Sequence, residues 1–190
     1  MKIALPAATL LLWAGATPAE PVTYQIDPAH TYPSFETDHF GGVSVWRGKF
    51  DHSSGTIVLD REKGTGTVTV TVDTTSIDFG MAKLNEHAKS AEMFDVEKFP
   101  TATYQGTLSH FKNGVPTEVV GQFTLHGVTH PLTLSIGQFM CKTYPDKKEH
   151  CGADAAATLN RADYGIGYGE KYGFKMEVKL AIQVEGVRAS

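Results

Sequence analysis

Ser76-Ile77-Asp78-Phe79-Gly80-Met81-Ala82-Lys83-Leu84-Asn85-Glu86-His87-Ala88-Lys89-Ser90-Ala91-Glu92-Met93-Phe94-Asp95-Val96-Glu97-Lys98-Phe99-Pro100 is the one stretch of this chain where apolar residues recur at helical spacing. Leu84, Ala88, Ala91 and Phe94 fall on one face, with His87 among them. Lys83, Glu86, Lys89, Ser90 and Glu92 take the rest of the wheel, and Glu86 with Lys89 has the spacing of a helix-surface ion pair. Pro100 holds Phe99 out of the helical region, so an extended segment must follow. A single short helix among strands is the pattern of a lid or plug on a sheet or barrel. It either covers a ligand or merely closes an open end.

On both sides of this stretch the period falls to two. Val68, Val70 and Val72 alternate with Thr67, Thr69 and Thr71, and Met176, Val178, Leu180, Ile182 and Val184 do so strictly. Between Val22 and Leu59 the same pattern places Phe35, Thr37 and His39 on one face, and Trp46 with Phe50 on another inward face. Pro33 interrupts its strand and predicts a sheet edge or a bulge. After Pro100, Tyr104 and Leu108 point to the core from one strand, Val119, Gly121, Phe123 and Leu125 from the next, and Leu132, Leu134 and Ile136 from a third. Turns fall at Gly41-Gly42, Arg61 to Gly66, Asn113-Gly114 and His126-Gly127. About ten short strands joined by hairpin turns predict a β-sandwich or an up-and-down barrel. Closure into a barrel would remove the exposed edges of so many Val/Thr strands.

The 190 residues allow one domain with a sizeable core, assigned to residues 20–190. A formal charge of -4 gives no general attraction to nucleic acid or to an anionic surface. Residues 1–19 have one basic residue, a short apolar run from Ile3 to Trp13, and small residues ending at Ala19. That is the layout of a secretory signal peptide, cleaved after Ala19 or Ala16, and the run is too short to span a bilayer. The predicted localisation is therefore the periplasm. In that oxidising compartment Cys141 and Cys151 predict a disulfide pinning a polar loop, about 2–3 kcal/mol by loop closure. A redox-active pair is the alternative, but no CxxC helix start is present.

Motifs of catalysis are absent from the sequence: there is no Gly-x-Ser-x-Gly elbow and no His-Glu-x-x-His. His126 and His130 are four apart, but Gly127 and Pro131 put them around a turn, so no metal site is predicted from them or from His30, His39 and His87. His87, on the apolar face of the helix, either bonds to backbone or offers a polar contact at a cavity mouth. Arg161 is expected to pair with Asp163 or Asp78, the alternative being an anionic head group that suits its planar donors.

Five stretches taken in order resemble the YceI-like family. They are Asp27-Pro28-Ala29-His30 with Phe35 and His39; Trp46-Arg47-Gly48-Lys49-Phe50; the helix region through Phe94-Asp95-Val96 to Tyr104; Phe123 to Leu132 around His126-Gly127-Val128-Thr129-His130; and Asn160-Arg161-Ala162-Asp163-Tyr164-Gly165-Ile166. The resemblance covers about residues 22 to 185. It implies an all-β fold, an antiparallel eight-stranded lipocalin-like β-barrel with one short helix near residues 83–94, often as a homodimer. It implies exported proteins that bind an isoprenoid quinone or polyprenyl phosphate, with no catalytic residue and no cofactor. A membrane electron-transfer or lipid-handling protein would be the partner of such a carrier.

The ligand-binding residues expected on this basis are Phe35, His39, Trp46, Phe50, Ile77, Phe79, Met81, Leu84, His87, Phe94, Tyr104, Phe123, Leu125 and Arg161. The inward wall is completed by Val70, Val72, Leu134, Val178 and Leu180. Two other classes of function compete with a carrier: a hydrolase or isomerase using His87, His39 or Arg161 in the cavity, and an envelope stress factor without a ligand. Converging His and carboxylate groups would mark the first. A barrel filled by interlocking Phe and Leu would mark the second.

Overall fold

The computed structural model describes residues 20–189; the candidate leader at 1–19 lies outside them. The strands in order are β1 (Val22–Ile26), β2 (Tyr32–His39), β3 (Ser44–Phe50), β4 (Ser53–Asp60), β5 (Thr65–Asp73) and β6 (Ile77–Asp78). Helix α1 (Ala82–Lys89) follows, then β7 (Thr101–Ser109), β8 (Glu118–Leu125), β9 (Val128–Thr143), β10 (Glu149–Asn160) and β11 (Glu177–Arg188). All ladders are antiparallel, and β1-β4-β5-β7-β8-β9-β10-β11 form a ring closed by β1 against β11. This is an eight-stranded closed barrel.

The three remaining segments continue strands of that ring. β1 and β2 both lie antiparallel to β11, which pairs Gly186 with Ile26 and Ile182 with Pro33. They are two halves of one staggered strand, broken at 27–31. Pro33 lies at this break: its neighbour Ser34 is the first β2 residue paired with β3, at Lys49, so the missing N–H costs no bond on that side. β3 likewise bends into β4 at Asp51-His52, and β5 into β6. The two corners are tied together, Asp51 N–H to Ser76 O at 3.2 Å and Asp73 N–H to His52 O at 3.0 Å. The edge-or-bulge expectation for Pro33 thus resolves as a stagger in a closed wall.

The alternating segments fall in the expected register. Val68, Val72, Leu108, Val119, Leu125, Leu132, Leu134 and Val178 are buried inside the wall, while the hairpin-tip residue Val43 faces out. Two glycines make the tight packing of this interior possible. A Cβ on Gly121 would sit 2.4 Å from the Gln105 carbonyl and 2.7 Å from the Tyr104 ring, so the ring lies flat on bare backbone. A Cβ on Gly48 would stand 2.5 Å from Phe35 and 3.0 Å from Phe79.

Tyr104 shares its hydroxyl proton between the carbonyls of Val119 and Leu132, both at 3.0 Å. At the far end Tyr24 donates to the Glu149 carboxylate. Burial pushes the Tyr104 phenol up to about 12, and burial, reinforced by the bond to Glu149, pushes Tyr24 up to about 12 as well. The folded barrel therefore keeps two protons that unfolded tyrosines release near pH 10. Their contribution to stability is whole below about pH 10 and is lost as pH rises toward 12, at up to about 1.4 kcal/mol per pH unit per group. Phenolate absorbance of the folded protein should show at least two tyrosines that ionise well above pH 10, one of them lost in Tyr104→Phe. Titration of every tyrosine near pH 10 in the folded protein would contradict this.

Cys141 and Cys151 form the disulfide, with Cα atoms 4.0 Å apart. It does not pin the base of an irregular loop. The two residues are cross-strand partners, and pairing continues beyond them through Lys142–His150 to Thr143–Glu149. The segment between the cysteines is a strand extension with a short turn at its tip.

The helix is shorter than its apolar pattern. α1 ends at Lys89, where the Ser90 hydroxyl donates back to the His87 carbonyl at 2.7 Å and Ser90 turns to extended backbone. The chain then runs through turns to Pro100. Ala91 consequently lies exposed and does not share a face with Leu84 and Ala88, whereas Phe94 folds back against the Phe50 ring at 5.7 Å. The start of the helix is clasped to β6. Asp78 accepts from the Asn85 amide and from Gly80 N–H, each at 2.8 Å, and the Asn85 carbonyl oxygen accepts from Phe79 N–H at 2.7 Å. These donors, Asn85 first, hold the Asp78 carboxyl below its usual range.

Candidate functional site: an apolar cavity under the helix

The barrel encloses a cavity of about 430 Å³. Its wall is tall: twelve-residue β10 spans about 40 Å along its own course, and a tilt of about 40° leaves about 30 Å of height. Leu59, Leu108, Ile136 and Phe139 line the end away from the helix; Val70, Tyr104, Phe123, Leu134 and Leu180 line the waist. At the helix end the lining is aromatic. Phe174 meets His39 edge-on, His39 stacks on Trp46 at 4.3 Å, Trp46 meets Phe79, Phe79 meets Phe35, Phe35 meets Phe50, and Phe50 meets Phe94. Seven rings in edge-to-face, tilted or stacked contact make a firm collar without needing polar partners.

Leu84 and His87 reach the cavity from α1, one turn apart on the same face. Ala88, next to His87 and one turn on from Leu84, is fully buried against Phe35, Ile77 and Val178, so the helix sits close on the wall. His87 does not bond to backbone. Its Nδ1 lies 3.8 Å from the Glu92 carboxylate, its ring meets Tyr168 edge-on at 4.6 Å, and its buried Nε2 has no protein partner.

Arg161 also lines the cavity and is only 8% exposed. The expected pairing with Asp163 or Asp78 does not form. Its Nη1 donates to the Ile166 carbonyl at 2.8 Å and its Nη2 to the Tyr168 carbonyl at 2.7 Å. Asp78 is taken by Asn85, and Asp163 is exposed at the surface, its backbone carbonyl accepting from His130 Nε2 at 3.1 Å. His126 Nδ1 donates to the Tyr164 carbonyl, also at 3.1 Å. Thus the pair His126 and His130 secures the turn that starts at Arg161. Burial lowers the Arg161 pKa, while the charges of Glu170 and Asp38 oppose that shift.

Most residues anticipated for the site lie on the cavity wall: Phe35, His39, Trp46, Phe50, Phe79, Leu84, His87, Phe94, Tyr104, Phe123, Leu125 and Arg161. Two do not. Gly80 takes a left-handed turn at φ 74°, and Met81 beyond it is swung outward to 51% exposure. Ile77 is buried in the wall against Phe35 and Ala88, behind the lining. Tyr168, Phe174 and Leu159 belong to the lining and were not anticipated. Tyr168 and Phe174 come from the glycine-rich segment after Arg161, which has no periodicity. Its one legible signal was a buried-type arginine opening a run of turn residues.

The YceI-like domain model matches residues 24–186. Protein YceI of Salmonella arizonae is 32% identical over 182 residues, which are 95% of this chain and 94% of that protein. Among solved structures, Burkholderia cenocepacia BcnA superposes with a TM-score of 0.65 at 20% identity, covering 84% of this chain and 98% of BcnA. A polyisoprenoid binding domain from Saccharophagus degradans superposes with a TM-score of 0.60 at 15% identity, over 87% of this chain and 98% of that domain. The two structural likenesses bear on the fold. The domain match and the sequence identity bear on descent, and by both this chain belongs to the YceI-like family.

Proposed function

We propose that the protein is a periplasmic carrier that holds the tail of an isoprenoid lipid, a quinone or a polyprenyl phosphate, inside the barrel. The observation that carries this reading is the open apolar cavity running the height of the wall beneath a helix that contributes Leu84 and His87 to it. A barrel of eight strands has room for one such ligand. Each CH₂ taken from water contributes about 0.8 kcal/mol, so a few isoprene units offset the cost of association. The structural neighbour whose own name is polyisoprenoid binding domain supports the same class of ligand.

The test is lipid affinity for wild type, Leu84→Ala, Phe94→Ala and His87→Ala, each checked for folding, with mass spectrometry of lipid extracted from the native protein. Removing a large apolar side chain from a packed site costs about 2–5 kcal/mol, divided between stability and affinity. A share of about 1.4 kcal/mol in affinity is a tenfold higher Kd. Leu84→Ala and Phe94→Ala should weaken binding at least to that extent. His87→Ala should alter the relative affinity of phosphate-bearing and quinone ligands, because its Nε2 has no other partner. Unchanged affinity in all three folded variants would reduce the helix to an end-cap and remove the case for a gated lipid site.

A further inference from the structure

Exposed apolar residues form a patch on one side of the cavity mouth. Val43 is 77% exposed, Phe40 57%, Tyr172 54% and Tyr168 39%. They come from two separate connections, the β2–β3 turn at 40–43 and the segment 165–176 after β10. These connections form one surface. The Phe40 and Phe174 rings are 5.4 Å apart, Lys175 N–H donates to the Asp38 carboxylate at 3.0 Å, and a Cβ on Gly41 would lie 3.1 Å from the Gly173 carbonyl. Phe40 is held in a left-handed conformation at φ 56°, strained for a non-glycine residue, with more than half of its surface exposed. An exposed aromatic cluster of this kind marks an interaction surface.

The charges on this rim indicate the partner. Asp38 is engaged by the backbone N–H groups of Lys175 and Gly41, and both Asp38 and Glu170 act electrostatically on buried Arg161. The cations Lys171 and Lys175 are exposed, and the Lys171 ammonium lies over the Tyr172 ring at 5.0 Å. Phe and Val tips, tyrosine rings and long-stemmed lysines together form the composition that settles at a membrane–water interface, apolar parts among acyl chains and ammonium groups at head groups.

We propose that this rim docks the barrel mouth onto an anionic lipid bilayer, so that a lipid passes between membrane and cavity without crossing water. The proposal rests on the lipid-carrier reading for its purpose, but the surface is testable alone. The protein, in the form in which cells accumulate it, is sedimented with vesicles of phosphatidylcholine and with vesicles containing about 30% phosphatidylglycerol, neither holding an isoprenoid. Affinity for farnesyl phosphate, offered without vesicles, is measured in parallel. Both are repeated on the triple variant Phe40→Ser, Val43→Ser, Tyr172→Ser, and on Lys171→Glu with Lys175→Glu.

Binding should favour the anionic vesicles, fall at least tenfold in the serine variant and fall again at higher salt in wild type. The lysine variant should lose the preference for anionic lipid. Farnesyl phosphate affinity should be unchanged in the serine variant. Vesicle binding without farnesyl phosphate binding would sink the polyprenyl phosphate form of the carrier reading and leave the docking surface standing. Farnesyl phosphate binding without any vesicle binding, or equal vesicle binding by wild type and the serine variant, would overturn the docking surface. So would a dimer in solution that the serine variant dissociates, for then the rim is covered by a second copy.

Discussion

Phe123→Asp is expected to unfold the protein or, where it folds, to abolish the lipid binding proposed above. Phe123 points inward from the waist of β8, its ring 5.6 Å from that of Tyr164, and the Arg161 guanidinium of the same cavity is already bound to the Ile166 and Tyr168 carbonyls. Truncating a buried Phe costs about 3–5 kcal/mol, and an unpaired carboxylate in apolar surroundings costs several more unless it takes up a proton. A total near the whole stability of an ordinary domain is at stake. Gln122 is the control. It is one residue away and exposed on the outer face, so Gln122→Asp should change stability by no more than about 0.5 kcal/mol. Urea denaturation of both variants decides the matter. Normal stability in Phe123→Asp together with a loss in Gln122→Asp would mean that the register is off by one residue, because the side-chain period of a strand is two.

Arg161→Met should be the second most damaging change. The guanidinium is buried and grips two carbonyls of one turn, those of Ile166 and Tyr168. Methionine fills similar space and supplies no donor. Hydrogen bonds from a charged donor contribute about 1.5–3 kcal/mol each, and their loss leaves buried carbonyls without partners. A loss of about 3–5 kcal/mol is expected. The segment from Gly165 to Lys175 should also become sensitive to limited proteolysis, since Tyr168 and Phe174 depend on it for their places at the mouth. Arg161→Lys should recover only part of the loss, because one ammonium cannot reproduce the fork of a guanidinium. Wild-type melting and wild-type protease resistance in Arg161→Met would show that the turn holds itself.

Arg161 also shows where sequence reasoning stops. Asp163 and Asp78 are the nearby charges along the chain or on the facing segment, and a charge-pair expectation chooses them. The partners are backbone carbonyls, which every residue carries and no sequence pattern announces. The same holds at the helix. The apolar period continues through Ala91 and Phe94, but the hydroxyl of Ser90 captures the His87 carbonyl and ends the helix early, so Ala91 falls outside. Gly80 turns Met81 away from the cavity through a positive φ. By contrast, the strands were legible. Val68, Val70 and Val72, or Leu132 and Leu134, have a period that allows only one face inward, and a closed wall makes that face the cavity lining. The cysteine pair was legible for another reason: two residues ten apart flank a turn sequence. The stagger joining β1 to β2 could not be seen, because it depends on where β11 lies.

The seam between β1 and β11 has a consequence for the order of events during synthesis. Tyr24 meets Arg188, and Gln25 meets Val187, so the first strand finds its second neighbour only when nearly the last residue has emerged. Every other ladder of the ring joins strands closer in sequence. Contacts of such high sequence separation form slowly, since the entropy of closing the chain comes before any reward. Until then β1 and β10 present bare edges, the surfaces on which chains add to one another. A nascent chain stalled before residue 177 is thus an open, adhesive sheet, and a truncation that removes β11 should yield aggregates where loss of a surface turn would not.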